Sequence, residues 1–272
     1  MSSNVEVSRQ GLLTAALIAA VLLLSLVISS ALMRWASSYP IMPFPREKTP
    51  AEVLLNVLLI SIPSIITSAF LASAIRYARA ILLRGLILLG AFIAVLTARG
   101  ALEAHGGLPS TLLSWLLMFF VVLSTLSVVV PPPEEVTALI YLVYGTVLGA
   151  FIGVNSPTSS ILLLLAIFAL YDIFFSRWAG AARGRGLEDL RAAVRLEGVD
   201  VGVGDIVFYS ILASHTMRFF GFTTALLTST LMIIGGILTL LIASRLGSFP
   251  GLPIPLALGV LPLLTFQLGG GG

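Results

Sequence analysis

The chain has 272 residues, 58% hydrophobic and 10% charged, with a mean hydropathy of +1.09. Soluble domains carry about 25% charged residues, so this composition excludes an ordinary soluble protein and indicates an integral membrane protein. The net charge of +3 comes from cations scattered at the ends of apolar runs rather than in a nucleic-acid-binding patch, and the absence of Cys excludes disulfides, thiolate metal sites and a cysteine nucleophile.

In chain order, hydropathy predicts nine spans: Gly11–Met33, Val53–Ile75, Ala80–Ala98, Thr111–Val130, Val136–Val154, Ser159–Ser176, Val201–Met217, Gly221–Ser244 and Leu252–Leu268. Most reach the ~20 residues that cross ~30 Å of hydrocarbon. The breaks between them carry turn-forming sequences such as MPFPREKTP, GGLPS, PPPEE, NSPTS and GSFPG. The first span is longer than the ~7–15 apolar residues of a secretory signal and is read as a membrane helix. The fold class expected is therefore an all-α membrane protein, a polytopic bundle of nine transmembrane helices. We divide it into an N-terminal bundle (1–158, spans one to five) and a C-terminal bundle (159–272, spans six to nine) of one integral domain.

Arg and Lys in alternate loops set the orientation. One set holds Arg9, Arg76, Arg79, Arg177, Arg183, Arg185, Arg191, Arg195 and Arg245; the other holds Arg34, Arg46, Lys48, Arg99 and Arg218. The richer set includes the N-terminus, which is therefore expected in the cytoplasm, with the C-terminus outside. In the sixth loop, Leu187, Leu190 and Val194 recur at helical spacing among arginines, which predicts a short interfacial helix.

Asp172 and Asp205 interrupt apolar runs, IFALYDIFFS and VDVGVGDIVFYS. An ionisable side chain at membrane depth is costly and points to function. Counted from the predicted ends of spans six and seven, each carboxyl lies ~7–8 Å inside its helix. Consecutive helices tend to pack together, so the pair is expected at matched height near the cytoplasmic side. Two close carboxyls in a low dielectric share one proton, so one member can activate water while the other polarises a peptide carbonyl. The same carboxyls could serve as a relay in an ion-coupled transporter or cation leak channel, or as a structural pair.

The neighbouring residues bear on this choice. Gly202 and Gly204 permit close backbone approach to Asp205, and Tyr171 can bring a phenol beside the carboxyls. Pro250-Gly251-Leu252-Pro253 cannot begin as a regular helix, and irregular backbone at the membrane is tolerated where it is buried or lines a wet cavity.

Tyr171-Asp172, Gly202-Val203-Gly204-Asp205 and Pro250-Gly251-Leu252-Pro253, in that order, resemble the YD, GxGD and PAL signatures of presenilins and signal peptide peptidases. The resemblance is carried by the half from about Ser159 to Leu268; the chain looks like an archaeal-type presenilin homologue. It departs from the presenilin pattern in reading PGL for PAL, and in a short sixth loop without a self-cleavage site. The resemblance implies an intramembrane aspartic endopeptidase of the GxGD type. Asp172 and Asp205 would be its catalytic pair, and Tyr171, Gly202, Gly204, Pro250, Gly251, Leu252 and Pro253 would shape the substrate site. No cofactor and no metal are implied. The partners expected are transmembrane-helix or signal-peptide substrates and membrane lipids, with a homo-oligomer possible and no nucleic acid. His105 and His215 are the two histidines, and neither is spaced for a zinc or serine protease site; His215 is expected near the outer interface.

Overall fold

The computed structural model describes residues 2–38, 49–59, 61, 78–103, 108–129, 133–181, 193–196, 199–246 and 249–268. Its elements are α1 (Ser2–Ser38), α2 (Pro50–Leu59), α3 (Ala78–Glu103), α4 (Leu108–Val129), α5 (Glu134–Asn155), α6 (Thr158–Ala181), β1 (Ala193–Leu196), β2 (Val199–Gly202), α7 (Val203–Leu246) and α8 (Pro253–Leu268). Beyond Ser61 the second predicted span lies outside the described residues, as do Leu187 and Leu190. The segments Leu12–Met33, Glu134–Asn155 and Val203–Leu246 are long and apolar enough to cross a membrane. Large apolar side chains face outward, with Leu23, Phe92, Trp115 and Phe119 all more than 60% exposed. A surface of this kind suits contact with hydrocarbon, and the chain is an integral membrane protein.

Local sequence accounts for the helix starts. At α2, Thr49 and Glu52 form a reciprocal capping box: the Thr49 N–H donates to Glu52 Oε2 at 2.9 Å, and the Glu52 N–H to Thr49 Oγ1 at 3.4 Å. Glu134 and Glu135 occupy the first turn of α5, where carboxylates meet the positive end of the helix dipole. Pro253 and Pro255 fall in the first turn of α8, where backbone N–H groups have no intrahelical acceptor to lose.

Helix α7 is two antiparallel arms. Its helical geometry breaks at Gly221, where φ is 86° and ψ is 171°; that φ is open to glycine and strained for other residues. A Cβ placed on Gly259 of α8 would lie 2.9 Å from both Leu212 Cδ2 and Met232 Sδ. In a straight helix those two positions would be ~30 Å apart, so the chain folds back between them. Independently, α1 meets the first arm where Ser25 Oγ bonds the Ser210 carbonyl and the Ser214 hydroxyl, and the second arm where Ile18 covers Gly236. Both α1 and α8 thus pack across the two arms.

The first arm (203–220) also lies against a ridge of glycines on α5. A Cβ on Gly145 would press on Ile206, one on Gly149 would collide with the Val207 carbonyl and Ser210, and one on Gly153 with the Ile211 carbonyl. Contacts that advance together along both helices mean that α5 and this arm run parallel. Spacing by four residues lets the two backbones approach closely, as small residues do in membrane helix pairs. At the far end His215 is fully buried: Nδ1 donates to the Gly153 carbonyl and Nε2 meets Thr158 Oγ1, both at 3.1 Å. His215 is a buried link between α7 and the α5–α6 turn, where both ring nitrogens find partners. Tyr141 and Tyr144 are core residues, and Phe120 packs edge-on against Tyr144.

In the sixth loop, the predicted helix does not extend over residues 193–196. This segment is strand β1, paired antiparallel to β2 with Val194 opposite Val201 and Arg195 opposite Asp200. β-Branched Val194, Val199 and Val201 favour a pleated ladder over the helical spacing that suggested otherwise. Val201 and Gly202, predicted to begin span seven, belong to this hairpin, which packs against α5 and α1.

Candidate active site

Strand β2 passes directly into α7, so Gly202 is the residue before the first helical position and Asp205 is the third residue of the helix. The Gly202 N–H donates to Asp205 Oδ2 at 3.2 Å, the return half of a capping box. The start of the helix therefore fixes this carboxyl, close to the positive end of the helix dipole. Two glycines bracket it. A Cβ on Gly202 would sit 3.2 Å from Asp205 Oδ2, and one on Gly251 only 3.0 Å away, whereas Gly204 faces open space. Glycine at 202 and 251 leaves the carboxylate room against backbone. The structure offers no steric reason for glycine at 204.

Asp172 comes from α6. Its Oδ2 accepts a 2.9 Å hydrogen bond from the Leu252 N–H. The Gly251 Cβ position and the Leu252 nitrogen are three bonds apart, at most about 3.8 Å by standard bond lengths, so the two carboxylates lie within about 10 Å of each other. The structure thus brings Asp172, Asp205, Gly202, Gly251 and Leu252 together. Pro250 and Pro253 frame the shared linkage: Pro250 precedes it outside any regular element, and Pro253 opens α8. Leu252 itself is 5% exposed and belongs to the main apolar core.

The two carboxyls do not lie at matched distances from their helix ends. Helix α6 continues to Ala181, nine residues beyond Asp172 and ~13 Å further along its axis, while Asp205 lies ~3 Å from the start of α7. The carboxyls meet although the helix ends do not match, because the hairpin takes up part of the connection.

Tyr171 is 41% exposed, with its ring edge-on to Phe168, which in turn lies 4.5 Å from Phe208 of α7. A different phenol reaches the shared peptide: buried Tyr209 donates from its hydroxyl to the Gly251 carbonyl at 3.2 Å. Both Asp205 and Asp172 lie within electrostatic reach of this phenol. The signal for it in the sequence is its spacing, four residues after Asp205 and hence on the same helix face. Among the described residues, no three His, Asp or Glu side chains gather as a metal site requires.

Comparison with known proteins identifies the fold. No family model matches the sequence, and no curated protein matches it. Among solved structures, the chain is similar to a presenilin family intramembrane aspartate protease in a C222 space group, with 16% identity, a TM-score of 0.64, and coverage of 96% of this chain and 99% of that one. The same kind of protease in a P2 space group aligns at 18% identity and a TM-score of 0.62, covering 93% of this chain and 97% of that one. The chain therefore has the presenilin-type fold along nearly its whole length.

Proposed function

We propose that this presenilin-fold chain is an intramembrane aspartic endopeptidase of the GxGD type, which hydrolyses peptide bonds within transmembrane helices using Asp172 and Asp205. One observation carries the reading: carboxylates from two helices converge on a single peptide linkage, Gly251–Leu252, through Leu252 N–H to Asp172 and Gly251 against Asp205. The cap from Gly202 N–H would by itself satisfy a structural Asp205; its approach to the same linkage that Asp172 holds goes beyond that. Convergence on an irregular segment supports a site built to meet an unwound peptide.

In this mechanism the pair holds one proton. The ionised carboxylate takes a proton from water as its oxygen attacks the scissile carbonyl carbon, and the neutral carboxyl donates a hydrogen bond to the carbonyl oxygen. Collapse of the tetrahedral intermediate breaks the C–N bond, and the proton passes to the leaving amine. The substrate must present an extended backbone, since an intact helix hides its peptide groups. The Pro250–Pro253 segment and the edges of the β1–β2 pair would supply donors and acceptors for an added strand.

The two arms of α7, with the other seven helices, support a count of nine spans. The distribution of Arg and Lys supports a multi-pass protein with a cytoplasmic N-terminus and an extracellular C-terminus. Residues 159–272 would form the catalytic bundle and 1–158 its support. The test is incubation of the purified protein with a single-span helical substrate, beside Asp205→Ala. Cleavage by the parent and none by the variant is expected. Cleavage by neither overturns the reading and leaves an ion relay to be examined by flux measurements.

A further inference from the structure

The Gly251–Leu252 peptide is held at both ends, by its carbonyl and by its N–H. Its carbonyl accepts from the Tyr209 hydroxyl at 3.2 Å, and its N–H donates to Asp172 Oδ2 at 2.9 Å. A peptide group is one resonance-coupled dipole, so a donor at the oxygen strengthens the N–H as a donor in turn. We propose that Tyr209 is a positioning residue of the site, fixing and polarising the Gly251–Leu252 peptide and, through it, setting the orientation and proton affinity of Asp172. This inference rests on the protease reading above and adds to it a side chain that does not touch the reacting atoms.

Three features support it. Tyr209 is 3% exposed, and a buried hydroxyl requires a partner, which the Gly251 carbonyl supplies. Phenylalanine would fill the same volume without that bond. Secondly, the peptide sits between Pro250 and Pro253, which have no N–H, so Gly251 and Leu252 hold the two backbone donors of the motif and one of them is committed to Asp172. The Leu252 carbonyl is engaged as well, accepting from Leu256 N–H at 3.1 Å in the first turn of α8. Thirdly, Tyr209 and Asp205 lie one helical turn apart on α7. The chain of contacts thus runs from the helix carrying one carboxyl, through one peptide, to the carboxyl on the other helix. Helices α7 and α8 are the principal elements packed against this part of α6; α7 brings Asp205 and Tyr209 as titratable groups, and α8 carries none.

A tyrosine that merely ties α7 to α8 would affect stability alone, so the test reads the pH profile. Cleavage of a single-span substrate is measured from pH 4 to 9 for the full-length parent and for Tyr209→Phe, with melting temperatures. In Tyr209→Phe, kcat should fall about tenfold with KM little changed, because a loosened peptide misplaces Asp172. The limb of the profile set by Asp172 should move to higher pH by about half a unit or more, since a carboxylate given a weaker hydrogen bond holds its proton more tightly. If Tyr209→Phe folds poorly, 3-fluorotyrosine at position 209 keeps the shape and is the stronger donor. It should move the same limb to lower pH. An unchanged profile in both variants overturns the inference and leaves Tyr209 a structural tie. A folded parent that cuts nothing overturns the protease reading itself, and this inference with it, a result distinct from an active parent with an indifferent Tyr209.

Discussion

The backbone N–H of Leu252 donates to the carboxylate of Asp172 at 2.9 Å, across 80 residues of chain. A main-chain donor cannot be removed by changing a side chain other than to proline, so the bond depends on the path of the Pro250–Pro253 segment. That path is set by the two prolines and by the buried Leu252 side chain. The α6 carboxyl is thereby positioned from the start of α8, and the α7 carboxyl by the start of its own helix.

Substitutions can divide the cap that Asp205 makes from the catalytic role proposed for it. In Asp205→Asn the amide oxygen can still accept from Gly202 N–H, so the melting temperature should stay near that of the parent. Cleavage should be abolished, because an amide cannot exchange the proton. Asp205→Ala should lose both cleavage and the cap, at a cost of about 1 kcal/mol. Thermal unfolding in detergent beside a substrate assay checks this; measurable turnover by Asp205→Asn would exclude the proton-sharing role.

Activity should follow a bell-shaped pH profile. A pair that shares one proton fails at low pH, where both members are protonated, and at high pH, where both are ionised. Rates for the parent from pH 4 to 9, on a substrate without titratable groups near the cut, test this. A flat profile would argue that a single carboxyl does the work.

Gly251 should tolerate little. A Cβ there would lie 3.0 Å from Asp205 Oδ2, tight enough that the carboxylate must yield by a few tenths of an ångström. Gly251→Ala should slow cleavage several-fold with the fold intact, and Gly251→Val should abolish it. Equal rates for all three would mean that Asp205 moves freely and the close approach is incidental. A charge at Leu252, 5% exposed, should cost the fold as well as the rate, so that position is a poor probe of the site alone.

The α5 ridge should respond in the opposite way to a glycine elsewhere. Gly149→Ala places a methyl against the Val207 carbonyl and should destabilise by about 1–3 kcal/mol, since neither backbone can withdraw cheaply. Gly85→Ala, inside α3 with open space around it, should stabilise by about 0.5–1 kcal/mol through helix propensity. Melting temperatures of the two variants decide between packing and propensity; a Gly149→Ala protein as stable as the parent would remove the ridge from the account.

Much of this arrangement was legible because the relevant physics is local. Asp172 and Asp205 stand out against apolar neighbours, and the prolines of Pro250–Pro253 announce a broken helix start. Hydropathy located the apolar stretches but not the helices themselves: α1 begins at Ser2 and α6 runs to Ala181, in polar sequence that is helix-compatible yet carries no membrane signal. The β1–β2 hairpin escaped because four-residue strands are too short for alternation to outweigh helical spacing. Tyr209 escaped because its partner lies 42 residues away. The glycines of GTVLGAFIG escaped as well, because which helix they receive is decided by tertiary packing.

The reversal at Gly221 bears on how such a chain enters a bilayer. One glycine joins the two arms of α7, so no polar loop of any length need be carried across. The arms can insert as a closed helical hairpin, their backbone hydrogen bonds already satisfied except at the bend. In the orientation proposed above, Arg218, three residues before the bend, is the charge that would cross with it. Biogenesis of this pair therefore depends on the hydrophobicity of the arms together rather than on translocation of a loop.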